Sequence, residues 1–290
     1  MLLPIRRKSA SHASSCIVYM VTVYTVTTMQ LEQDTIHLWY ADQSDFTLQQ
    51  LEQRSLHWLQ PQELQRYRRL QLERHRTQLL LSRYLVRSVL SLYAETNRPE
   101  DWCFVTNSYG KPALDQKQHA LPMPLFFNLS HSQGKLVVAI AASEALGVDV
   151  EGSARPRRIG AIANRYFAPQ EVTALRLLPV HQQLPRFYHL WTLKEAYIKA
   201  RGLGLAIPLQ HFAFQFGADK RINVEFAPQL LDDASHWRFW QIAAGPSHTL
   251  ALACSPVQRN LALRVRMGQF YGDSTPRKLQ LADAPVIRQS

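Results

Sequence analysis

Alternation of apolar and polar positions begins at Thr35, where Ile36, Leu38 and Tyr40 interleave with His37 and Trp39 as far as Ala41. A period of two marks a strand, because successive side chains leave opposite faces. From Glu63 to about Tyr93 the spacing becomes helical, with Leu79, Leu80, Tyr84, Leu85 and Val89 in recurring positions. The pattern lapses between Leu70 and His75, which predicts two helices. Asn107 to Pro112 is a turn by composition. Leu136 to Ala142 is a short continuous apolar run, hence a buried strand, and Gly147 to Glu151 follows after a brief polar link as its expected antiparallel neighbour. Helical spacing returns over Arg165 to Leu178 and Leu184 to Arg201, the second stopped by Gly202 and Gly204 with Pro208 beyond. Phe212, Phe214 and Phe216 alternate as a strand, and Trp237 to Ala244 is expected to pair with His248 to Cys254 across Gly245-Pro246-Ser247.

This order of strand, helices, strands, helices and strands predicts an α+β fold in two halves that meet near residue 145. The expected units are an N-terminal extension over 1–30, an N-terminal half over 31–145, a C-terminal half with the metal site over 146–257, and a loosely attached tail over 258–290. The extension carries Arg6, Arg7 and Lys8, a Ser-rich stretch and the apolar run Ile17 to Val26. That run is well short of the roughly 20 residues a membrane helix needs, and no small-x-small cleavage site follows it. It reads as a poorly ordered segment upstream of a start at Met29.

Charge narrows the partners. Lys and Arg number 33 against 22 Asp and Glu, a formal net charge of +11, in a chain that is 46% hydrophobic and 19% charged. The composition is that of a globular chain, and its basic balance favours a polyanion: nucleic acid, a membrane surface, a phosphorylated small molecule or an acidic protein. Cys16, Cys103 and Cys254 lie far apart, giving neither metal-ligand spacing nor a disulfide framework, which suits a reducing compartment.

The candidate chemistry is carboxylate and cation. Asp149 and Glu151 flank Val150 in a strand, so both project from one face, and two adjacent carboxylates repel unless a cation lies between them. A hard cation such as Mg²⁺ takes oxygen ligands and substrate phosphates. By itself the pattern is weak and more often describes a solvated strand face. Glu195 shares a helix face with Trp191 and Phe187, and its partner is either Lys199 at i+4 or a metal shared with Asp149 and Glu151. Ser130 and His131 are adjacent on an extended chain, so they cannot act as a nucleophile and base pair. They suit hydrogen bonds to an anion, or a capped strand end with a surface histidine. Lys111, Arg66, Arg76 and Arg83 are cations that could meet phosphate, although most of so many arginines must be solvated helix surface.

Four segments taken together resemble the 4'-phosphopantetheinyl transferases, in the larger Sfp-like, pseudo-dimeric class: Tyr109-Gly110-Lys111-Pro112, Phe127-Asn128-Leu129-Ser130-His131-Ser132, Leu146-Gly147-Val148-Asp149-Val150-Glu151, and Trp191-Thr192-Leu193-Lys194-Glu195-Ala196-Tyr197-Ile198-Lys199, continued by Gly202-Leu203-Gly204-Leu205. The similarity runs from about residue 35 to 255. Thr192 stands where the family often has Ser. The resemblance implies two similar α/β halves with coenzyme A in the cleft between them, and transfer of its phosphopantetheine arm to a serine of an acidic acyl or peptidyl carrier protein. It further implies that Asp149, Glu151 and Glu195 bind Mg²⁺, that Glu195 is the base, and that Lys199 steadies the pyrophosphate. Lys111, Ser130 and His131 would hold the adenosine-phosphate end, assisted by Arg66, Arg76 and Thr77. The chain is then expected to be a cytoplasmic monomer that engages neither membrane nor nucleic acid. The alternatives are a basic nucleic-acid-binding protein and a metal-dependent nucleotide phosphohydrolase.

Overall fold

In the computed structural model, which describes residues 28–290 other than 95, 120, 122, 154–158 and 272–278, two sheets pack face to face with helices on their outer surfaces. The expectation for the first 27 residues of the extension lies outside the described residues. Strand β1 (Thr35–Asp42) leads into α1 (Leu48–Ser55), α2 (Pro61–Arg69) and α3 (Glu73–Ser91), then a small hairpin of β2 (Phe104–Thr106) and β3 (Pro112–Leu114). Strands β4 (Phe126–Ser132), β5 (Lys135–Ala141) and β6 (Leu146–Gly152) follow, then α4 (Ile159–Tyr166), α5 (Pro169–Leu177) and α6 (Val180–Arg201). The chain ends with β7 (Phe212–Phe216), β8 (Ile222–Phe226), β9 (Arg238–Ala243), β10 (His248–Cys254), β11 (Arg264–Gln269), β12 (Ala282–Asp283) and β13 (Val286–Gln289).

Local chemistry explains the boundaries. The helical stretch after residue 60 is indeed two helices, with Leu70 in extended conformation between them. The single helix expected over Arg165 to Leu178 is instead α4 and α5. Pro169 lacks the N–H that would continue α4 and suits the first position of α5. Helix α6 ends where Gly202 adopts φ 66°, its N–H turning back to the carbonyls of Ile198 and Lys199. Gln133 and Gly134, at φ 45° and 87°, make the two-residue turn that joins β4 to β5.

The first sheet runs β12-β11-β1-β5-β4 and the second β13-β9-β10-β6. Residue parity sets the layers. Ile36, Leu38, Val137 and Ala139 face Val148, Val150, Leu250 and Leu252 in a core between the sheets. The opposite faces of β1 and β5 present Trp39, Leu136 and Val138 to Leu80, Leu81 and Leu85 of α3. Ala251, Ala253 and Phe239 do the same for Leu193, Ala196 and Tyr197 of α6. Both faces of β1 are therefore covered, and its residues from Thr35 to Trp39 are all buried despite their alternating chemistry.

Two expectations fail. Gly147 to Glu151 is not the neighbour of Leu136 to Ala142: β6 pairs antiparallel with β10, from Leu146 opposite Cys254 to Gly152 opposite His248. The link between β5 and β6 is pinned to the end of β10, with the Ser143 hydroxyl donating to Ser255 O and Ser255 N donating to Ala145 O, so the chain crosses to the other sheet. The C-terminal segment is no loose tail either. β11 lies parallel against β1 from Thr35 opposite Arg264, and β13 adds to β9, so this segment joins both sheets. Its final residue is fixed as well, Ser290 N donating to Phe239 O. Among the described residues, no helix is long and apolar enough to cross a membrane.

Candidate active site

Strand parity places Gly147, Asp149 and Glu151 on the side of β6 away from the inter-sheet core. Gly147 lets α6 lie directly on this strand, because a Cβ there would stand 2.1 Å from Ala196 O and 2.4 Å from Ala200 N. The close approach brings Lys199 to Asp149. Lys199 Nζ lies 2.6 Å from Asp149 Oδ1, 2.9 Å from Ser130 Oγ and 3.3 Å from Val148 O. Lys199 thus pairs across to β6, not back to Glu195 within its helix.

The three carboxylates differ in environment. Asp149 is buried. Burial raises its carboxyl above the ordinary range despite the opposing pull of Lys199, and its Oδ2 has no hydrogen-bond partner among the described residues. Glu151 is half-buried and accepts from Ser132 Oγ at 2.9 Å. Glu195 is half-buried and is pushed up to about 7, first by burial and then by the Asp149 charge, with Lys199 opposing and Glu151 adding to the rise. Neighbouring carboxylate charge adds to the rise at both Asp149 and Glu195, which places the three carboxyl groups in one electrostatic site.

These features fit a hard divalent cation: an orphaned buried oxygen on Asp149 and two further carboxylates whose mutual repulsion a cation would relieve. Among the described residues, no three side chains of metal-binding type already stand grouped as a closed ligand set.

A groove leads away from Glu195 and Lys199. Three adjoining depressions, of about 350, 580 and 380 Å³, share Leu129 in their walls. The first holds Glu195 and Lys199, and the second adjoins it at Gly110 and Pro112. The third, reached past Arg66 and Arg83, is lined by His75, Gln78 and His131. The groove therefore runs from an end walled by one carboxylate, Glu195, and two lysines, Lys111 and Lys199, to a basic end.

The residues singled out in the sequence divide accordingly. Arg66 and His131 line the basic end, with the Gln78 amide 3.0 Å from His131 Nδ1. Lys111 lines the first depression, but its ammonium is engaged by main chain: Nζ donates to the carbonyls of Ala200 (2.9 Å), Glu144 (3.1 Å) and Leu146 (3.3 Å). Ser130 is buried. Its hydroxyl donates to Asp149 Oδ1 at 2.9 Å and accepts from Lys199 Nζ and Val150 N, which uses all the capacity of a hydroxyl. Arg76 donates to Leu70 O at 2.7 Å and lies over the Tyr67 ring, so it secures the break between α2 and α3. Thr77 is buried with its hydroxyl returned to Glu73 O at 2.9 Å, as helical threonines often do. Arg83 is ion-paired to Glu63, which also meets the buried Arg87. Asn128 and Ser132 stand in the sequence motif with no role assigned to them. Their signal was present, since Asn128, Ser130 and Ser132 recur at a strand's period of two.

Known proteins resemble the chain on both sides of residue 145. The family described as 4'-phosphopantetheinyl transferase, N-terminal, matches residues 39–145, and the 4'-phosphopantetheinyl transferase superfamily matches 145–254. The 4'-phosphopantetheinyl transferase Sfp of Bacillus subtilis is 32% identical over 61% of this chain and 75% of its own length. HetI, a 4'-phosphopantetheinyl transferase of a Nostoc species, is 35% identical over 61% of this chain and 73% of its own. The Bacillus subtilis transferase ffp is 39% identical over 52% of this chain and 62% of its own.

Proposed function

The chain belongs to the 4'-phosphopantetheinyl transferases, and we propose that it takes the phosphopantetheine group from coenzyme A, with Mg²⁺, and delivers it to a serine of an acidic acyl or peptidyl carrier protein. The observation that carries this reading is the groove with Glu195 and Lys199 in the wall of one end, beside Asp149, and Arg66 and His131 lining the other. An extended donor with a phosphorylated nucleoside at one end and a pyrophosphate at the other matches a groove with cationic groups at both ends, Lys199 at one and Arg66 at the other. Asp149, Glu151 and Glu195 would hold the metal, which when bound neutralises charge on the pyrophosphate oxygens.

The protein's own groups account for the rest. The carrier serine oxygen attacks the β-phosphorus, the new P–O bond forms, and the bond to the departing 3',5'-ADP breaks. Glu195, or a water it holds, receives the serine proton, the step that general-base help accelerates. Lys199, already fixed by Asp149 and Ser130, supplies positive charge where the leaving oxygen becomes negative. The +11 net charge attracts an acidic partner. A monomeric state, a cytoplasmic location, and no engagement of membrane or nucleic acid belong to the same proposal. As a nucleic-acid binder the chain would leave the carboxylates without a role, and two of its arginines, Arg83 and Arg87, turn to Glu63 instead of outward.

Calorimetric titration tests the donor. With Mg²⁺ present, coenzyme A is expected to bind about tenfold or more tightly than its 3'-dephospho form, since one charge-assisted phosphate contact contributes about 1.5–3 kcal/mol. Equal affinity for the two would contradict the assignment of the basic end, and no binding of either would contradict the donor.

A further inference from the structure

β6 is the outermost strand of its sheet, so the N–H and C=O groups along one side have no strand to pair with. Side chains take that place in order. Leu146 O accepts from Lys111 Nζ at 3.3 Å, Val148 O from Lys199 Nζ at 3.3 Å, and Gly152 O from Gln133 Nε2 at 2.6 Å. The intervening amides are met from β4: Val148 N donates to Asn128 Oδ1 (2.9 Å), Val150 N to Ser130 Oγ (3.2 Å) and Gly152 N to Ser132 Oγ (3.2 Å). Residues 128, 130 and 132 thus meet 148, 150 and 152 in step. β4 is itself the outermost strand of the other sheet. Direct backbone pairing would hold the two strands roughly 4.8 Å apart, whereas bridging through side chains holds them wider. That is how the Lys199 ammonium reaches both Ser130 Oγ and Val148 O.

The serines have a second contact each. Ser130 Oγ donates to Asp149 Oδ1 and Ser132 Oγ to Glu151 Oε2, both at 2.9 Å. Each hydroxyl therefore holds a carboxylate and the backbone amide of the next residue, fixing side chain and main chain together. We infer that Ser132 is a positioning residue for the transfer reaction, orienting Glu151 as one rung of a side-chain ladder that replaces a backbone ladder between the two sheets. The inference rests on the reading that Asp149, Glu151 and Glu195 hold a divalent cation. Partners of this kind, which orient a metal ligand without touching the metal, change metal affinity about 10–100-fold when removed.

The test compares the parent with Ser132→Ala and Ser132→Thr, using two readouts. Hydrogen exchange followed by NMR reads the ladder without any metal: the Gly152 amide should exchange up to about tenfold faster in Ser132→Ala, the loss expected for one hydrogen bond, and recover in Ser132→Thr. Titration with Mn²⁺ alone, followed by electron paramagnetic resonance, reads the positioning: Ser132→Ala should bind about 10–100-fold more weakly and Ser132→Thr should regain most of the affinity. Unchanged Gly152 exchange overturns the ladder. Faster exchange with undiminished Mn²⁺ affinity overturns the positioning role. A parent that binds no Mn²⁺ overturns the metal reading and the positioning role with it, while the exchange result still decides the ladder.

Discussion

Lys194 and Lys199 lie five residues apart in one helix and meet different surroundings. Lys194 is wholly buried, 2.8 Å from Glu171, and donates to the carbonyls of Leu209 and Phe212, so it ties α6 to the start of β7 and the turn before it. Lys199 stands at the groove beside Asp149. Nothing in the local sequence separates the two roles, because each depends on which element lies opposite. The same holds for Lys111, whose chemistry suits phosphate but whose ammonium is engaged by three carbonyls. Parity was more informative: placing Asp149 and Glu151 on one face and Val148 and Val150 on the other required only that the segment be a strand. His37 supplies a prediction at this scale. Burial first and Arg266 second push it down to about 4 from an ordinary 6.5, and it stays neutral against Tyr93, whose hydroxyl lies 2.7 Å from Nδ1. Between those values the unfolded chain takes up a proton that the folded protein refuses. The stability is therefore complete above about 6.5 and falls by up to about 3 kcal/mol as pH drops to about 4. Melting temperatures measured across pH 6.5 to 4 should fall less steeply for His37→Gln than for the parent, and parallel curves would contradict the buried neutral histidine.

Elements with strong periodicity or firm stop signals were legible: β1, the α2 and α3 pair, the α6 terminus at Gly202, and the β9–β10 hairpin. What could not be read was which sheet a strand joins. β6 follows β5 after a link of only a few residues, yet pairs with β10, because contacts from Ser143 and Ser255 redirect the chain. The polar composition of the C-terminal segment likewise concealed its strands: β12 and β13 sit at sheet edges and β11 next to one, where few buried side chains are needed. The contact of β6 with α6 depends on one missing Cβ. Gly147→Ala would press a methyl group against the backbone of Ala196 and Ala200, which cannot yield as a flexible side chain would. Overpacking of this kind costs about 1–3 kcal/mol, and here it would shift Glu195 and Lys199 relative to Asp149. Urea unfolding should show that loss with a parallel fall in transferase kcat/KM. Parent-like stability and activity would contradict the close packing.

At the scale of the whole molecule, two sheets meet edge to edge along β4 and β6 and face to face through a shared core, and the C-terminal strands join both. The candidate site is assembled at that seam: Ser130 and Ser132 from β4, Asp149 and Glu151 from β6, Glu195 and Lys199 from α6. The basic surface was legible as a preference for an anionic partner. The identity of the transferred group came from the four motifs together and not from charge or spacing. The most direct measurement is the mass of an apo carrier protein after incubation with coenzyme A and Mg²⁺. The parent should add one phosphopantetheine to a single serine, more slowly at high salt as screening weakens attraction to the acidic carrier. Asp149→Ala, with unchanged circular dichroism, should lose most of that activity. An unmodified carrier in the parent reaction, or full modification by Asp149→Ala, would contradict the account.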